Sequence, residues 1–143
     1  MLKGIPSILS PELLKVLIEM GHGDELVIGD GNFPAASMAQ RLVRCDGHPV
    51  APLLDAILAL FPLDTFVDSP VSLMAVVGGG DEPPIWKTYR EIVGRRSPDA
   101  SGIEHVERFA FYERAKQAYA IVATGESALY ANVILKKGVV IDA

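Results

Sequence analysis

The chain has 143 residues, half of them apolar and 22% charged, and its formal net charge is −5. This acidic balance argues against binding to DNA or RNA, because contacts to phosphate require clustered lysine and arginine side chains. No apolar stretch comes close to the length of about 18 residues that a membrane span needs. The single cysteine, Cys45, excludes an internal disulfide and fits a reducing cytoplasm.

The beginning of the chain predicts a helix and then a strand. Ser10 is a typical N-cap, Pro11 fits the first helical position, and the apolar periodicity continues to Met20 before Gly21 ends the helix. Prolines interrupt the first apolar residues, so we expect no secretory signal. The apolar run at residues 25–28 is long enough for one short strand.

The rest of the chain alternates predicted helices with predicted buried strands. In chain order these are a short helix at 35–40, a strand at 41–44, a helix opened by Pro52 with Phe61 on its apolar stripe, a strand at 71–77, a helix from Pro83 through Val93, a polar loop from Gly94 to Gly102, a helix at 109–117, and strands at 119–123 and 130–135. This alternation predicts an α/β fold, a single layered domain over residues 1–143 with a mixed, largely parallel central sheet flanked by helices. The high apolar share also predicts a homo-oligomer, because a monomer of this size does not need so much apolar surface.

A candidate small-molecule site lies in residues 21–34, where His22 and Asp30 stand at the two ends of the predicted strand, each beside a glycine. His22 follows the end of a helix, where the dipole favours an imidazolium, and an imidazole exchanges protons near neutral pH. We therefore take His22 as the candidate for proton transfer. The alternatives are a helix-capping role for His22 and a turn role for Asp30, since Asp-Gly is a common turn pair.

A metal site is the weaker interpretation of the same segment. His22, Asp24 and Asp30 would supply three ligands of mixed type, but no second histidine lies nearby in the sequence. We expect no metal here and expect Asp24 to organise the turn around His22. His48 and His105 lie in polar surroundings and are predicted to be solvated loop residues.

A second polar and aromatic cluster occupies the last third of the chain: Glu107, Arg108, Phe109, Phe111, Tyr112, Glu113, Arg114, Tyr119, Tyr130, Ala131 and Asn132. Arginine, tyrosine and asparagine suit a polyhydroxylated ligand, because they supply several hydrogen bonds beside an apolar face. An exposed helix surface is the alternative for the Glu113 and Arg114 part of this cluster.

Motifs for nucleotide and covalent chemistry are missing from the sequence. The triple glycine at 78–80 lacks the following lysine and hydroxyl residue of a phosphate loop and lacks the spacing of a dinucleotide fingerprint. Cys45 has no base obviously paired with it, and no Gly-x-Ser-x-Gly elbow occurs. We therefore expect no cofactor.

Several blocks of the chain resemble the L-fucose mutarotases, which form one sugar-anomer superfamily with the ribose pyranases. The blocks are PELLKVL at 11–17, GHGDE at 21–25, Asp30 with Phe33-Pro34, RFAFYERA at 108–115, ATGE at 123–126, YAN at 130–132 and LKKGV at 135–139. The resemblance extends from Leu2 to Val139, with the blocks in the family's order.

This resemblance implies a compact α/β layer with a mixed sheet, assembled as a homodecamer of stacked rings with sites near subunit contacts. It also implies residue roles: His22 matches the proton donor, Asp30, Arg108, Tyr130 and Asn132 match sugar-contacting positions, and Ala131 contributes through its backbone. Asn32 stands where relatives carry histidine and Ala131 where some carry glycine, departures that bear on sugar preference.

The implied reaction interconverts the α and β anomers of L-fucose by opening and closing the hemiacetal ring. Both proton transfers are acid–base steps, so neither nicotinamide nor metal is needed. The alternatives that stay open are a non-catalytic monosaccharide-binding module and a ribose pyranase-type activity on D-ribose or another aldose.

Overall fold

The computed structural model describes residues 1–142 and contains one six-stranded sheet with the strand order β2-β5-β1-β6-β3-β4. The strands are β1 (Glu25–Gly29), β2 (Leu42–Cys45), β3 (Val71–Met74), β4 (Ile103–Val106), β5 (Ala120–Thr124) and β6 (Val133–Lys136). The helices are α1 (Pro11–Glu19), α2 (Ala35–Met38), α3 (Val50–Leu58), α4 (Pro84–Arg96) and α5 (Arg108–Gln117).

The strand directions decide which loops meet. Strand β6 is antiparallel to β1 and β3, whereas the pairs β1–β5, β2–β5 and β3–β4 are parallel. The carboxyl ends of β1 to β5 and the amino end of β6 therefore share one edge, called here the carboxyl edge. The opposite, amino edge holds the start of β1 and the end of β6. The predicted mixed, largely parallel sheet flanked by helices is confirmed.

Helices cover both faces of the sheet, because alternate strand residues point to opposite sides. In β1, Leu26 and Ile28 pack in a core with α1, α3 and α4, whereas Val27 packs on the other face with α2 and α5. All three side chains are fully buried. Burial on both faces explains why this strand is an unbroken apolar run.

Helix α1 forms as its sequence predicts. The Ser10 side chain accepts a hydrogen bond from the Leu13 backbone N–H at 3.1 Å, and Pro11 occupies the first turn. An N-cap bond of this kind satisfies one of the free amides of the first turn. The buried residues of α1, Leu13, Val16 and Leu17, pack onto the sheet.

Strand β4 was not predicted from the sequence. Glu104 and His105 are exposed on it, and it pairs with β3 alone at the sheet edge. An edge strand with polar residues lacks the apolar pattern on which strand prediction depends. His105 is exposed as expected, but it lies in a strand and not in a loop. Helix α4 likewise continues past Gly94, where a loop was predicted, to Arg96.

Three other boundaries differ from prediction. Helix α3 begins at Val50, so Pro52 lies within its first turn, where a missing N–H is harmless, and Phe61 follows the helix. The strand predicted over 71–77 ends at Met74. The strand predicted from Tyr130 begins at Val133, because Tyr130 has a left-handed backbone with φ of 55°. Along residues 1–142, no helix is long and apolar enough to cross a membrane.

Candidate functional site

Five of the six candidate residues lie at the carboxyl edge of the sheet. Asp30 follows β1, Arg108 begins α5 directly after β4, and the segment from Tyr130 through Ala131 to Asn132 leads into β6. These positions are distant in sequence but lie at one edge of the sheet, because the carboxyl ends of the parallel strands and the amino end of antiparallel β6 share that edge. This edge is where ligands bind in open α/β sheets.

Asp30 and Asn132 form the centre of this group. The Asn132 Oδ1 accepts a hydrogen bond from the Asp30 backbone N–H at 2.8 Å, and both residues are buried. The Asp30 Oδ1 in turn accepts from the Asn32 backbone N–H at 3.0 Å, which closes the Asp-Gly-Asn turn. The two side chains are thereby fixed relative to each other.

The carboxyl group of Asp30 holds its proton more tightly than an exposed aspartate. Burial raises its pKa above the ordinary value of 3.8, hydrogen bonds from the backbones of Asn32, Ala131 and Phe33 oppose the rise, and the charge of Glu126 adds to it. The net shift is upward. A buried carboxyl of this kind can exchange hydrogen bonds with ligand hydroxyls.

Helix α4 holds the segment before β6 through two aromatic side chains. The Trp86 indole N–H donates to the Tyr130 carbonyl, and the Tyr89 hydroxyl donates to the Ala131 carbonyl, both at 2.8 Å. Burial raises the pKa of Tyr89 well above its usual value, so it remains a donor. These two bonds fix the left-handed turn at Tyr130.

This role of Trp86 and Tyr89 was not predicted from the sequence. Both lie on the buried face of α4, and their polar atoms need partners when buried. That requirement is the signal available in the sequence, although it does not identify the partner.

The Tyr130 side chain borders an apolar cavity at this edge. Its hydroxyl accepts a hydrogen bond from the Val77 backbone N–H at 3.2 Å. The cavity, of about 640 Å³, lies along the start of α4 and is lined by Val76, Asp81, Pro83, Pro84, Ile85, Thr88, Ala128, Leu129 and Tyr130. A smaller depression of about 290 Å³ opens beside Asp30, Phe33 and Thr124.

Arg108 lies at the first position of α5 with one buried donor unused. Its guanidinium carbon is 4.6 Å from the centre of the Phe109 ring. Its Nε is buried, and it has no hydrogen-bond partner among residues 1–142. Because a buried donor without an acceptor is unfavourable, this atom indicates a place for a ligand oxygen.

Thr124 and Glu126 support the turn that carries Asp30, and sequence reasoning assigned them no role. The Thr124 hydroxyl donates to the Gly29 carbonyl at 2.7 Å, and the Glu126 carbonyl accepts from the Gly31 N–H at 2.7 Å. A Cβ at Gly31 would lie 3.0 Å from that carbonyl oxygen, so glycine permits the approach. The Glu126 carboxylate also accepts from the Val50 N–H at the start of α3 at 3.1 Å.

His22 lies at the amino edge, apart from the other candidates. Strand β1 separates it from Asp30, and five residues at ~3.3 Å each span about 16 Å. The His22 Nε2 is 3.1 Å from the Asp64 Oδ1, and the imidazole packs 5.3 Å from the Phe66 ring. As expected, Asp24 organises this turn, since its Oδ2 accepts from the Gly21 N–H at 2.7 Å.

The geometry bears on the alternative metal site of the sequence analysis. His22 and Asp24 precede β1, whereas Asp30 follows it, so one ion cannot contact all three within a single chain. Likewise, a single chain cannot present His22 and Asp30 to the same small ligand.

Comparison with known proteins gives concordant results. The RbsD / FucU transport protein family matches residues 3–140. The human fucose mutarotase is 51% identical over 145 residues, covering 96% of this chain and 94% of its own. The L-fucose mutarotase of Actinobacillus pleuropneumoniae serotype 5b is 51% identical over 140 residues and 97% of each chain.

A solved structure extends this likeness to three dimensions. The fucose mutarotase of Streptococcus pneumoniae, determined in complex with L-fucose, is 57% identical and superposes with a TM-score of 0.94. The alignment covers 98% of the present chain and all of the other.

Proposed function

The chain belongs to the RbsD / FucU transport protein family, and we propose that it is an L-fucose mutarotase, an isomerase that interconverts the α and β anomers of the sugar. Residues 1–143 would form one mutarotase domain. The observation that carries the proposal is the fold shared along the whole chain with a fucose mutarotase that binds L-fucose. The group of Asp30, Arg108 and Asn132 at the carboxyl edge supports it independently.

Mutarotation needs two proton transfers and no change in oxidation state. The anomeric hydroxyl loses a proton, the ring oxygen gains one, and the C1–O5 bond breaks to give the open aldehyde. After rotation about the bond to C1, the hydroxyl adds to the other face of the carbonyl and the proton transfers reverse. A positioned acid–base group accelerates such steps by about 10²–10⁴-fold.

The carboxyl-edge residues suit the binding part of this task. Asp30 accepts hydrogen bonds from sugar hydroxyls, and Arg108 donates through its free Nε to a sugar oxygen as charge develops on it. Asn132 and the Ala131 backbone hold the sugar beside them. Tyr130 packs against the ring or serves the second proton transfer.

The proton carrier in this proposal is His22 from a second copy of the chain. Within one chain His22 lies at the wrong edge, but a head-to-tail contact brings the amino edge of one copy to the carboxyl edge of the next. Exposed apolar side chains are available on both edges: Phe66 beside His22 is 74% exposed, and Leu129 beside Tyr130 is 68% exposed. A contact between the two edges would remove the apolar surface of these side chains from water, which favours association.

Head-to-tail contacts close into rings when the rotation between copies allows it. Two stacked rings would give the homodecamer that the family resemblance implies, with one sugar site at each contact. We place this assembly in the cytoplasm, in keeping with the buried free thiol of Cys45.

Saturation-transfer NMR on L-fucose tests the proposed activity. Addition of the protein should raise the rate of exchange between the α and β anomer signals, and His22→Ala should return it close to the uncatalysed rate. Fucose binding without faster exchange would instead support the monosaccharide-binding module. The same measurement on D-ribose and other aldoses tests the ribose pyranase alternative, and sedimentation velocity tests the decamer.

A further inference from the structure

We infer that Asp64 is a positioning residue that orients the His22 imidazole and fixes which ring nitrogen carries the proton during mutarotation. This inference rests on the proposed function, because it assigns the support for the proposed proton carrier. Asp64 is not among the candidate residues predicted from the sequence.

The contact between the two side chains joins a buried carboxylate to a partly open imidazole. The Asp64 Oδ1 lies 3.1 Å from the His22 Nε2, and the two side chains are 5% and 45% exposed, respectively. The same Oδ1 accepts from the Phe66 backbone N–H at 3.0 Å. A buried carboxylate needs such donors, since burial without partners is costly.

The carboxylate is ionised in this arrangement. Burial alone would raise the pKa of Asp64, but the Phe66 N–H and the His22 ring outweigh it and hold the pKa below its ordinary value. An ionised carboxylate only accepts hydrogen bonds. The neutral imidazole therefore carries its proton on Nε2, which leaves Nδ1 free.

The end of strand β6 brings His22 into this contact. The Gly23 N–H donates to the Lys137 carbonyl at 2.8 Å, and the Lys137 N–H donates to the Asp24 carbonyl at 2.9 Å. The two bonds join the His22 turn to the last residues of the sheet. The turn is thereby held at Gly23 and Asp24, the two residues that follow the histidine.

The same strand end holds Asp64 from the other side. The Asp64 N–H donates to the Lys136 carbonyl at 3.0 Å, and the Gly138 N–H donates to the Pro62 carbonyl at 2.8 Å. A Cβ at Gly138 would lie 2.5 Å from the Leu63 carbonyl oxygen, so the close approach requires glycine. Both partners of the pair are thus attached to one rigid element, as a positioning contact requires.

This geometry assigns the proton path to Nδ1. The free Nδ1 accepts the proton of the anomeric hydroxyl, and the imidazolium that forms is stabilised by the Asp64 carboxylate at Nε2. The Nδ1 proton then passes to the ring oxygen as the C1–O5 bond breaks, so that Tyr130 takes the packing role against the sugar ring in this scheme. Asp64 accepts no proton and touches no sugar atom in this scheme.

The test compares Asp64→Asn with Asp68→Asn, which removes an exposed carboxylate four residues away in the same segment. Asp64→Asn should lower the anomer-exchange rate at saturating fucose by about 10-fold or more, while the dissociation constant for fucose stays within about 2-fold. Asp68→Asn should match the parent in both. An unchanged exchange rate in Asp64→Asn overturns the inference, although the proposed function would then stand.

A spectroscopic measurement reads the contact without reference to activity. Proton NMR of the 15N-labelled parent should show a hydrogen-bonded Nε2–H resonance of His22, assigned by its loss in His22→Gln, and Asp64→Ala should abolish it. Absence of this resonance in the folded parent overturns the inference. If the parent shows the resonance but does not accelerate anomer exchange, the proposed function fails, and the catalytic part of the inference fails with it.

Discussion

Asp30 and Asn132 are 102 residues apart in the chain, yet the Asn132 side chain accepts a hydrogen bond from the Asp30 backbone N–H at 2.8 Å. The contact exists because β1 and β6 are antiparallel neighbours, which brings the end of one strand to the start of the other. It joins the turn that carries the Asp30 carboxyl group to the segment that carries Tyr130 and Ala131.

Replacement of Asn132 tests the contribution of this hydrogen bond. Asn132→Ala removes the acceptor and leaves the buried Asp30 N–H unpaired, so the free energy of unfolding should fall by about 1–3 kcal/mol. Fucose affinity should fall as well, because the turn loses its anchor. Urea unfolding and fucose titration measure the two effects. Asn32→Ala is the matched control for stability, since only the backbone N–H of this exposed residue bonds to Asp30.

The raised pKa of Asp30 predicts a specific pH dependence of stability. The folded protein binds this proton more tightly than the unfolded chain does. The contribution of Asp30 to the free energy of unfolding therefore falls as the pH rises from 3.8 through the raised folded value. Relative to Asp30→Asn, the parent should lose stability across that window. Urea titrations of both proteins at a series of pH values provide the measurement, and parallel curves would contradict the prediction.

The pH dependence of stability that Asp55 contributes should have the opposite sign. The side-chain hydrogen bonds of Arg96 and Arg95 lower its pKa from 3.8 to about 2. Its stabilising contribution is present above 3.8 and is lost as the pH falls through about 2. Asp55→Asn should therefore be less stable than the parent at neutral pH, and the difference should vanish in strong acid. The effect should be small and salt-sensitive, because the pair is partly exposed.

The Tyr89 hydroxyl is expected to matter for both stability and sugar binding. Tyr89→Phe leaves the Ala131 carbonyl without its donor in the core, which should cost about 1–3 kcal/mol. It should also weaken fucose binding, since the segment from Tyr130 to Asn132 loses one of its two bonds to α4. Thermal unfolding and sugar titration measure these effects. The control is Tyr119→Phe, which removes an exposed hydroxyl 3.3 Å from Glu19. In this variant the free energy of unfolding should change by no more than about 0.5 kcal/mol.

Mixed assemblies test whether each site is built from two copies of the chain. His22→Ala and Asp30→Ala should each be inactive alone, because every contact in either assembly lacks one partner. Co-refolding the two variants should restore activity to about one quarter of the parent value, since that share of head-to-tail contacts joins two intact edges. If the mixture has no more activity than the two variants alone, His22 and Asp30 do not act across a subunit contact.

Much of the fold follows from local features of the sequence. The cap at Ser10, the apolar run of β1 and the apolar stripe of α3 predicted their elements to within two residues, except that α3 ends before Phe61. Strand β4 was not predicted, because a polar edge strand has little local signal. The left-handed turn at Tyr130 was not predicted either, because hydrogen bonds from a helix distant in sequence hold it.

The order of residues along the chain is enough to identify the chemical groups: an acidic chain with one histidine and one aspartate at the two ends of a short buried strand. Which of these groups meet depends on the fold. It joined Asp30 to Asn132, gave His22 the Asp64 carboxylate as its partner, and separated these two pairs by the length of β1. This difference arises because side-chain periodicity is a local property, whereas the order and direction of strands in a sheet depend on pairing between segments far apart in the chain.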